Sequence, residues 1–437
     1  MKLLTWGEND HGGNFENDSD DFIDIFSHSN GKSFAALKND KTVVTWGDND
    51  ISTSNGENST EVQHLLKNII KIASTERAFA ALRSDGTVIT WGNSGYGGDS
   101  SSVKDDLVNI VDIKSISNSF LAINANKETI VWGGNTLLPL LNTNKLIDIK
   151  FYLNSQYILL TEDGFKSSSD KLVENINGRT VKKLYANRGA FAVLLEDGDL
   201  IVSGSSSYGG NYDDHKDYLV NVKEVYTTDK AFLVKKRGNQ IYVWGHIQHG
   251  GGGGDGWNSL QKKTSKLKPG AANTEILNEL QDVSKVCATA YAFAVIKKDG
   301  TVFAWGHKDY GGDISYIEDE LINVREIYAT QFAFTALKKD GTVISWGDGN
   351  NDNRQFKNIS KIFSNNSAFS ALACKNHVDI CGVCDGDGLP KGFCDCEGMI
   401  PDIDGTCHPK TSILVYIIGG LIVGSLVLFY LKYRKKL

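Results

Sequence analysis

The chain has 437 residues, of which 41% are hydrophobic and 23% charged, the balance of a protein that folds around a core. Glycine is abundant (45 residues) with no collagen-like period, proline is scarce (5), and aromatics reach 10% against 2 methionines, which points to many tight turns in a β-rich interior. The net charge is −7, and the bases Lys432, Arg434, Lys435 and Lys436 lie past the last acid, so the main body is more acidic still and excludes general binding to nucleic acid.

The chain opens on the strand-like run Lys2-Leu-Leu-Thr-Trp6-Gly7, and Trp-Gly returns at Trp46, Trp91, Trp132, Trp244, Trp305 and Trp346. Recurrence at about forty residues marks a repeat architecture. Within a unit, Phe79-Ala-Ala-Leu82 reads as a strand, Ser84-Asp-Gly-Thr87 as a turn, and Val88-Ile-Thr-Trp-Gly92 as a second strand. Asp-Gly recurs at Asp163, Asp197, Asp299 and Asp340, a hairpin signal that predicts primed turns. A third apolar stretch precedes each hairpin, for example Ile110–Ile113 or Val324–Ile327. Two degenerate copies fill the gap between Trp132 and Trp244. One keeps Asp163-Gly164 and ends near Ser169 without Trp-Gly; the other places Ser203 at the Trp position. Strands of the Phe type begin at Phe34, Phe79, Phe120, Tyr157, Phe191, Phe232, Phe293, Phe334 and Phe369. An orphan Trp-type strand opens the chain and an orphan Phe-type strand, Phe369–Leu372, ends the repeats. Their pairing predicts one all-β propeller of about nine short blades over residues 1–373, closed without a free edge.

The units resemble the regulator of chromosome condensation repeat family, which also includes a bacterial β-lactamase inhibitor protein. The shared pattern, Phe-Ala-Ala-Leu-x-x-Asp-Gly-Thr-Val-x-x-Trp-Gly, is clearest at 79–92, 293–306 and 334–347. The resemblance implies a ring whose loops bind proteins, and it transfers no catalytic residue.

Several repeats continue past Trp-Gly with an aromatic or histidine and two glycines, as at Tyr96-Gly-Gly, Tyr208-Gly-Gly, His249-Gly-Gly and Tyr310-Gly-Gly. Paired glycines suit a blade-to-blade turn. The sharper reading is a repeated ligand site using Tyr96, Tyr208 and Tyr310. An insertion between Gly245 and Asp282 carries Gly250–Gly254, then Trp257 and the bases Lys262, Lys263, Lys266 and Lys268, and is a candidate partner-binding loop. His246 and His307 hold equivalent places, with His249 near them, which raises a metal site against the plainer reading of solvated loop histidines. The spacings of a phosphate loop, a nucleophile elbow and a zincin helix are absent, so the expectation is a non-enzyme with no cofactor and no resident metal.

Beyond residue 373 the character changes. Cys374, Cys381, Cys384, Cys394, Cys396 and Cys407 crowd residues 374–411, a stretch with almost no apolar residues, while Cys287 stands alone. Three disulfides in a short stalk are preferred over zinc, whose finger spacing is missing, or calcium, whose full Asp-x-Asp-x-Asp-Gly loop is missing. The Cys-Gly-Val-Cys-x-Gly-Asp-Gly run resembles small repeats of extracellular and viral surface proteins. Ile413–Leu431 is uncharged and long enough for a bilayer core, so residues 412–431 read as a transmembrane helix and 432–437 as a basic tail. The tail, the cysteines and the sequons at Asn17, Asn58, Asn358 and Asn365 place the ring outside the cytoplasm, on a cell or virion surface, as a membrane-anchored binder of a protein or glycan. The lack of a signal peptide ahead of the first strand favours the alternative, a tail-anchored scaffold facing the cytosol that regulates a small GTPase, by family analogy.

Three stalk bridges leave one thiol. Intact-mass measurement after alkylation in denaturant should show a single modified cysteine, Cys287. Seven modified cysteines without bound metal would favour the cytosolic alternative.

Overall fold

In the computed structural model of the protein, the described residues are 1–17, 19, 21–28, 31–47, 56, 58–116, 118–134, 146–152, 156–251, 280–348, 356–379 and 384. They form nine three-stranded antiparallel sheets. We number them as blades in chain order: blade 1 (22–47), 2 (69–92), 3 (110–133), 4 (146–167), 5 (181–204), 6 (222–245), 7 (283–306), 8 (324–347) and 9 (359–373 with 2–7).

Blade 2 shows how sequence becomes strand. Its inner strand is Ile69–Ser74, its middle strand Ala78–Arg83 and its outer strand Val88–Gly92. The middle strand is apolar and small on both sides because it is covered on both faces. Side chains alternate, so Phe79 and Ala81 face blade 1 while Ala78, Ala80 and Leu82 face blade 3. The Asp-Gly turn departs from the primed two-residue form. Gly86 N–H donates to the Arg83 carbonyl and Gly86 takes φ +80°, while Asp85 accepts the Thr87 amide and hydroxyl. That is a three-residue loop with one left-handed residue, so the aspartate serves as a cap and only the glycine needs positive φ.

Nine apolar clusters join each blade to the next, including blade 9 to blade 1, which closes the ring. Closure uses the chain ends: Lys2–Gly7 pairs with Ala368–Ala373 from Lys2↔Ala373 to Gly7↔Ala368. Trp6 is fully buried there, 5.5 Å from the Phe369 ring and 4.8 Å from Phe356.

Every inner strand carries a bulge between its first and third residues. The residue after the bulge is charged in all nine blades: Asp24, Lys71, Asp112, Asp148, Lys183, Glu224, Lys285, Glu326 and Lys361. Bulges re-aim a side chain without ending the strand, and here they set a belt of charge on the strands nearest the ring axis. Lys361 and Asp24 pair across one seam at 2.8 Å, and Lys71–Asp112 and Lys285–Glu326 pair across two others.

Blade 4 corrects the sequence reading by one residue. Ile158 pairs with Ser167, so Ser168, opposite Tyr157, holds the Trp position rather than Ser169. Ser169 instead caps helix α1 (Asp170–Ile176) by accepting the Leu172 amide, and Leu172 and Ile176 pack between blades 4 and 5.

Cys374 bonds to Cys384, and Cys287 is a free thiol. Asn358 Nδ2 donates to the Asn376 carbonyl at 2.6 Å, holding the first residues past the repeats against blade 9. Cys381, Cys394, Cys396, Cys407 and the segments 412–431 and 432–437 lie outside the described residues. The chain divides into units Met1–Gly386 and Asp387–Leu437, the second wholly outside them. Among the described residues no helix is long and apolar enough to cross a membrane.

Truncating a buried tryptophan costs about 3–5 kcal/mol. Trp6→Ala should lower stability by that order in denaturant unfolding, and deleting residues 1–7 should lower it further by freeing two sheet edges. An unchanged midpoint in the deletion would show that the ends do not close the ring.

Candidate partner-binding face

The loops singled out by their paired glycines lie at one end of the blades, where each outer strand leaves its sheet. After Trp-Gly the chain makes one turn of 3-10 helix, Ser94–Tyr96, Ser206–Tyr208, Ile247–His249 or Lys308–Tyr310. The first glycine follows in the left-handed region, with φ of +90° at Gly97 and +95° at Gly311. The second lies against the glycine of Trp-Gly, and a Cβ on Gly98 would stand 2.2 Å from the Gly92 carbonyl oxygen. Glycine is therefore required twice, for different reasons.

Two bonds lock the turn. The carbonyl of the first glycine accepts the indole N–H of the next blade: Trp132 to Gly97 at 2.9 Å, Trp244 to Gly209 at 2.8 Å, Trp305 to Gly250 at 2.9 Å and Trp346 to Gly311 at 3.0 Å. The carbonyl just before it is held by the inner turn of its own blade, as in Thr228 Oγ1 to His249 at 2.8 Å and Asn187 Nδ2 to Tyr208 at 2.8 Å. Asn365 does the same for His11 at 2.7 Å while its Oδ1 accepts the Ser367 and Ala368 amides. It is fully buried, so this sequon is closed to glycosylation in the folded protein, whereas Asn58 is exposed.

With their backbone so engaged, the turns present half-buried side chains outward. Tyr96 lies under the Arg77 guanidinium at 5.2 Å and Tyr208 under the Lys230 ammonium at 5.3 Å. Tyr310 differs. Its ring packs 4.7 Å from Tyr291, 5.4 Å from Phe332 and 4.6 Å from His307. Tyr291 also stacks on His249 at 4.6 Å, and His249 meets His246 at 5.2 Å. Blades 6, 7 and 8 thus share one strip of six rings beside the exposed Ile247. The three sequence-predicted tyrosines do not meet; only Tyr310 joins the strip. Tyr291 and Phe332 were not anticipated. They occupy the position just before the middle strand, which is Arg77, Gly189 or Lys230 in other blades, and comparing the repeats at that position would have exposed them. Trp257, Lys262, Lys263 and Lys266 lie outside the described residues.

Two histidines of the strip, His246 and His249, resist protonation. His249 is buried, and burial pulls its imidazole down to about 4, aided by His246, Lys230 and His307 and opposed by its bond to the Ala290 carbonyl at 2.9 Å. Burial and then Lys230 also lower His246. Asp229 is pushed up by burial, against the pull of Arg188 at 2.9 Å and of Lys230. Among the described residues the three histidines do not bring their ligand atoms together; His249 and His307 each pack on the Tyr291 ring, at 4.6 and 6.2 Å. Among the described residues the one group whose ligand atoms lie within 4.8 Å of one another is Glu8, Asp10 and His11, where His11 Nδ1 is already taken up by Asp10 at 3.1 Å.

No family model matches the chain, and no curated protein matches it. Solved structures that resemble it include yeast RCC1 (Prp20) bound to Kap60, at TM-score 0.42 and 14% identity over 86% of this chain and 89% of that one. Prp20p from Saccharomyces cerevisiae, reported with its binding to Gsp1p and histones, gives 0.41 and 14% over 84% and 90%. Human WBSCR16 gives 0.40 and 13% over 85% and 98%. The propeller assignment rests on the nine sheets and nine seams described above.

His249 is neutral in the fold down to about pH 4, whereas an unfolded histidine protonates near 6.5. Its contribution to stability is therefore complete above pH 6.5 and is lost as pH falls from there toward 4. The melting temperature should drop between pH 7.5 and 5.0, and His249→Gln should flatten that part of the profile. An unaltered profile in the variant would place the acid sensitivity elsewhere.

Proposed function

We propose that this chain is a non-catalytic binding module, a closed ring that presents the aromatic strip of blades 6–8 to a protein partner. The observation that supports a protein over a glycan is the packing of the rings on one another. Interplanar angles of 29° for His249–Tyr291, 35° for Tyr291–Tyr310 and 20° for Tyr291–Phe332 mean that ring faces are spent on mutual stacking. Sugars pack on open aromatic faces. What remains here is ring edges, two half-buried tyrosines, Tyr291 and Tyr310, and the exposed apolar Ile247, a patch of the kind that anchors protein interfaces at low entropic cost.

In the same reading the ring is tethered by Ile413–Leu431, with Lys432, Arg434, Lys435 and Lys436 on the cytoplasmic side and the ring on the opposite one. The support is the uncharged length and the one-sided basic flank.

The test uses the full-length protein in its membrane, with a photo-crosslinking residue at Ile247. A protein adduct is expected that survives enzymatic removal of glycans. The double substitution Tyr291→Ser, Phe332→Ser should weaken its formation by roughly thirtyfold, the loss expected from a hot spot of about 2 kcal/mol. An adduct that disappears with the glycans, or that forms equally with the double variant, would overturn the assignment.

A further inference from the structure

We propose that the propeller holds a second binding site, a cavity on the axis side of blade 7 that takes one neutral aromatic ring of the phenol class. It shares no residue with the aromatic strip and does not depend on the binding reading.

The first observation compares the repeats at one position, two residues after the charge belt. An aromatic stands there in blades 1, 5, 6, 8 and 9: Phe26, Tyr185, Tyr226, Tyr328 and Phe363. Each packs, half-buried, into the seam with the next blade. Blade 7 has Cys287 instead, packed against the seam with blade 8. Beside it lies a cavity of about 270 Å³, walled by Tyr226 and Val286, by Ile296 and Ile327, and by Glu224 and Glu326. All these walls are among the described residues. For scale, an apolar cavity of about 150 Å³ holds benzene. Blade 2 also has a small residue at this position, Ala73, but it is buried in its seam cluster.

The second observation comes from the lysines of the belt. Lys183 lies over the Tyr185 ring at 5.1 Å and Lys361 over the Phe363 ring at 4.6 Å. Lys361 does so while pairing across its seam with Asp24 at 2.8 Å. Lys285 makes the same seam pair, with Glu326, but the residue two places on is Cys287. An aromatic ligand in the cavity would stand to Lys285 as Phe363 stands to Lys361, and an ammonium favours an electron-rich ring face. The carboxylates set the charge of that ligand. Glu224 and Glu326 flank Lys285 from the two neighbouring blades, so they repel an anionic ring and accept a neutral one. Burial pushes the Cys287 thiol up to about 12, which keeps it neutral beside the ligand.

The test uses the full-length protein and p-cresol, which reproduces the side chain that blades 5, 6 and 8 carry at this position. A ligand of this size binds with a Kd on the order of 1 mM, so about 10 mM should slow native-state alkylation of Cys287 about tenfold. The same concentration of 4-methylbenzoate, a similar ring bearing a carboxylate, should leave the rate unchanged. Cys287→Tyr should fill the cavity from the chain itself and raise the unfolding midpoint, which p-cresol should then no longer raise further. Cys287→Ala should keep the p-cresol effect on the midpoint. An alkylation rate unmoved by p-cresol, equal protection by both compounds, or a p-cresol shift that survives in Cys287→Tyr would overturn the site. If Cys287→Tyr fails to fold, the alkylation rates and Cys287→Ala decide.

Discussion

The bond from a buried indole N–H to the carbonyl of a left-handed glycine in the preceding blade organises the rest of this ring. A buried N–H without a partner costs about 1–3 kcal/mol, so each tryptophan needs that carbonyl turned toward it. Only a glycine in the left-handed region turns it there, and only a second glycine lets the loop pass the Trp-Gly backbone. The partners stand 35 residues apart at Trp91, Trp132, Trp244 and Trp346. At Trp305 they stand 55 apart, because the long insertion lies between the glycine and the next blade and leaves the bond intact. Trp6 and Trp46 are the exceptions among the described residues: the Trp6 indole N–H donates to Ser345 Oγ at 3.1 Å, and that of Trp46 has no hydrogen-bond partner, with Phe15 stacked on the ring at 4.8 Å instead.

Where that bond governs, the chain has little freedom, and variation gathers at positions it does not reach. The residue ahead of the middle strand is one. It is Gly189 in blade 5, because a Cβ there would stand 2.4 Å from the Tyr208 ring. It is a base in blades 2 and 6, over a tyrosine, and an aromatic in blades 7 and 8, where the rings then accumulate. A symmetric scaffold thereby acquires one distinctive arc without altering any bond that holds it together. The charge belt is a second such position. Its bulge is common to all blades, while sign and partner differ from seam to seam.

The blade count and closure were legible in the sequence because they rest on local, repeated signals: alternation within a strand, glycine at the turns, and an orphan strand at each end of the repeats. The same signals misplaced the lost Trp position by one residue, since register is decided by pairing with Tyr157 and Ile158 and not by composition. They also suggested primed turns, where Asp85 in fact caps a three-residue loop.

The repeat grammar by itself determined that the chain is a ring and where its turns must be glycine, because those requirements act within one unit and recur in each. Only the tertiary structure decided which side chains meet. His249, Tyr291, Tyr310 and Phe332 come from three blades and are up to 83 residues apart, so no local spacing links them. Likewise Asn365 matches a glycosylation sequon by its neighbours, yet the fold buries it against His11, 354 residues away, because ring closure brings the two ends of the repeats together.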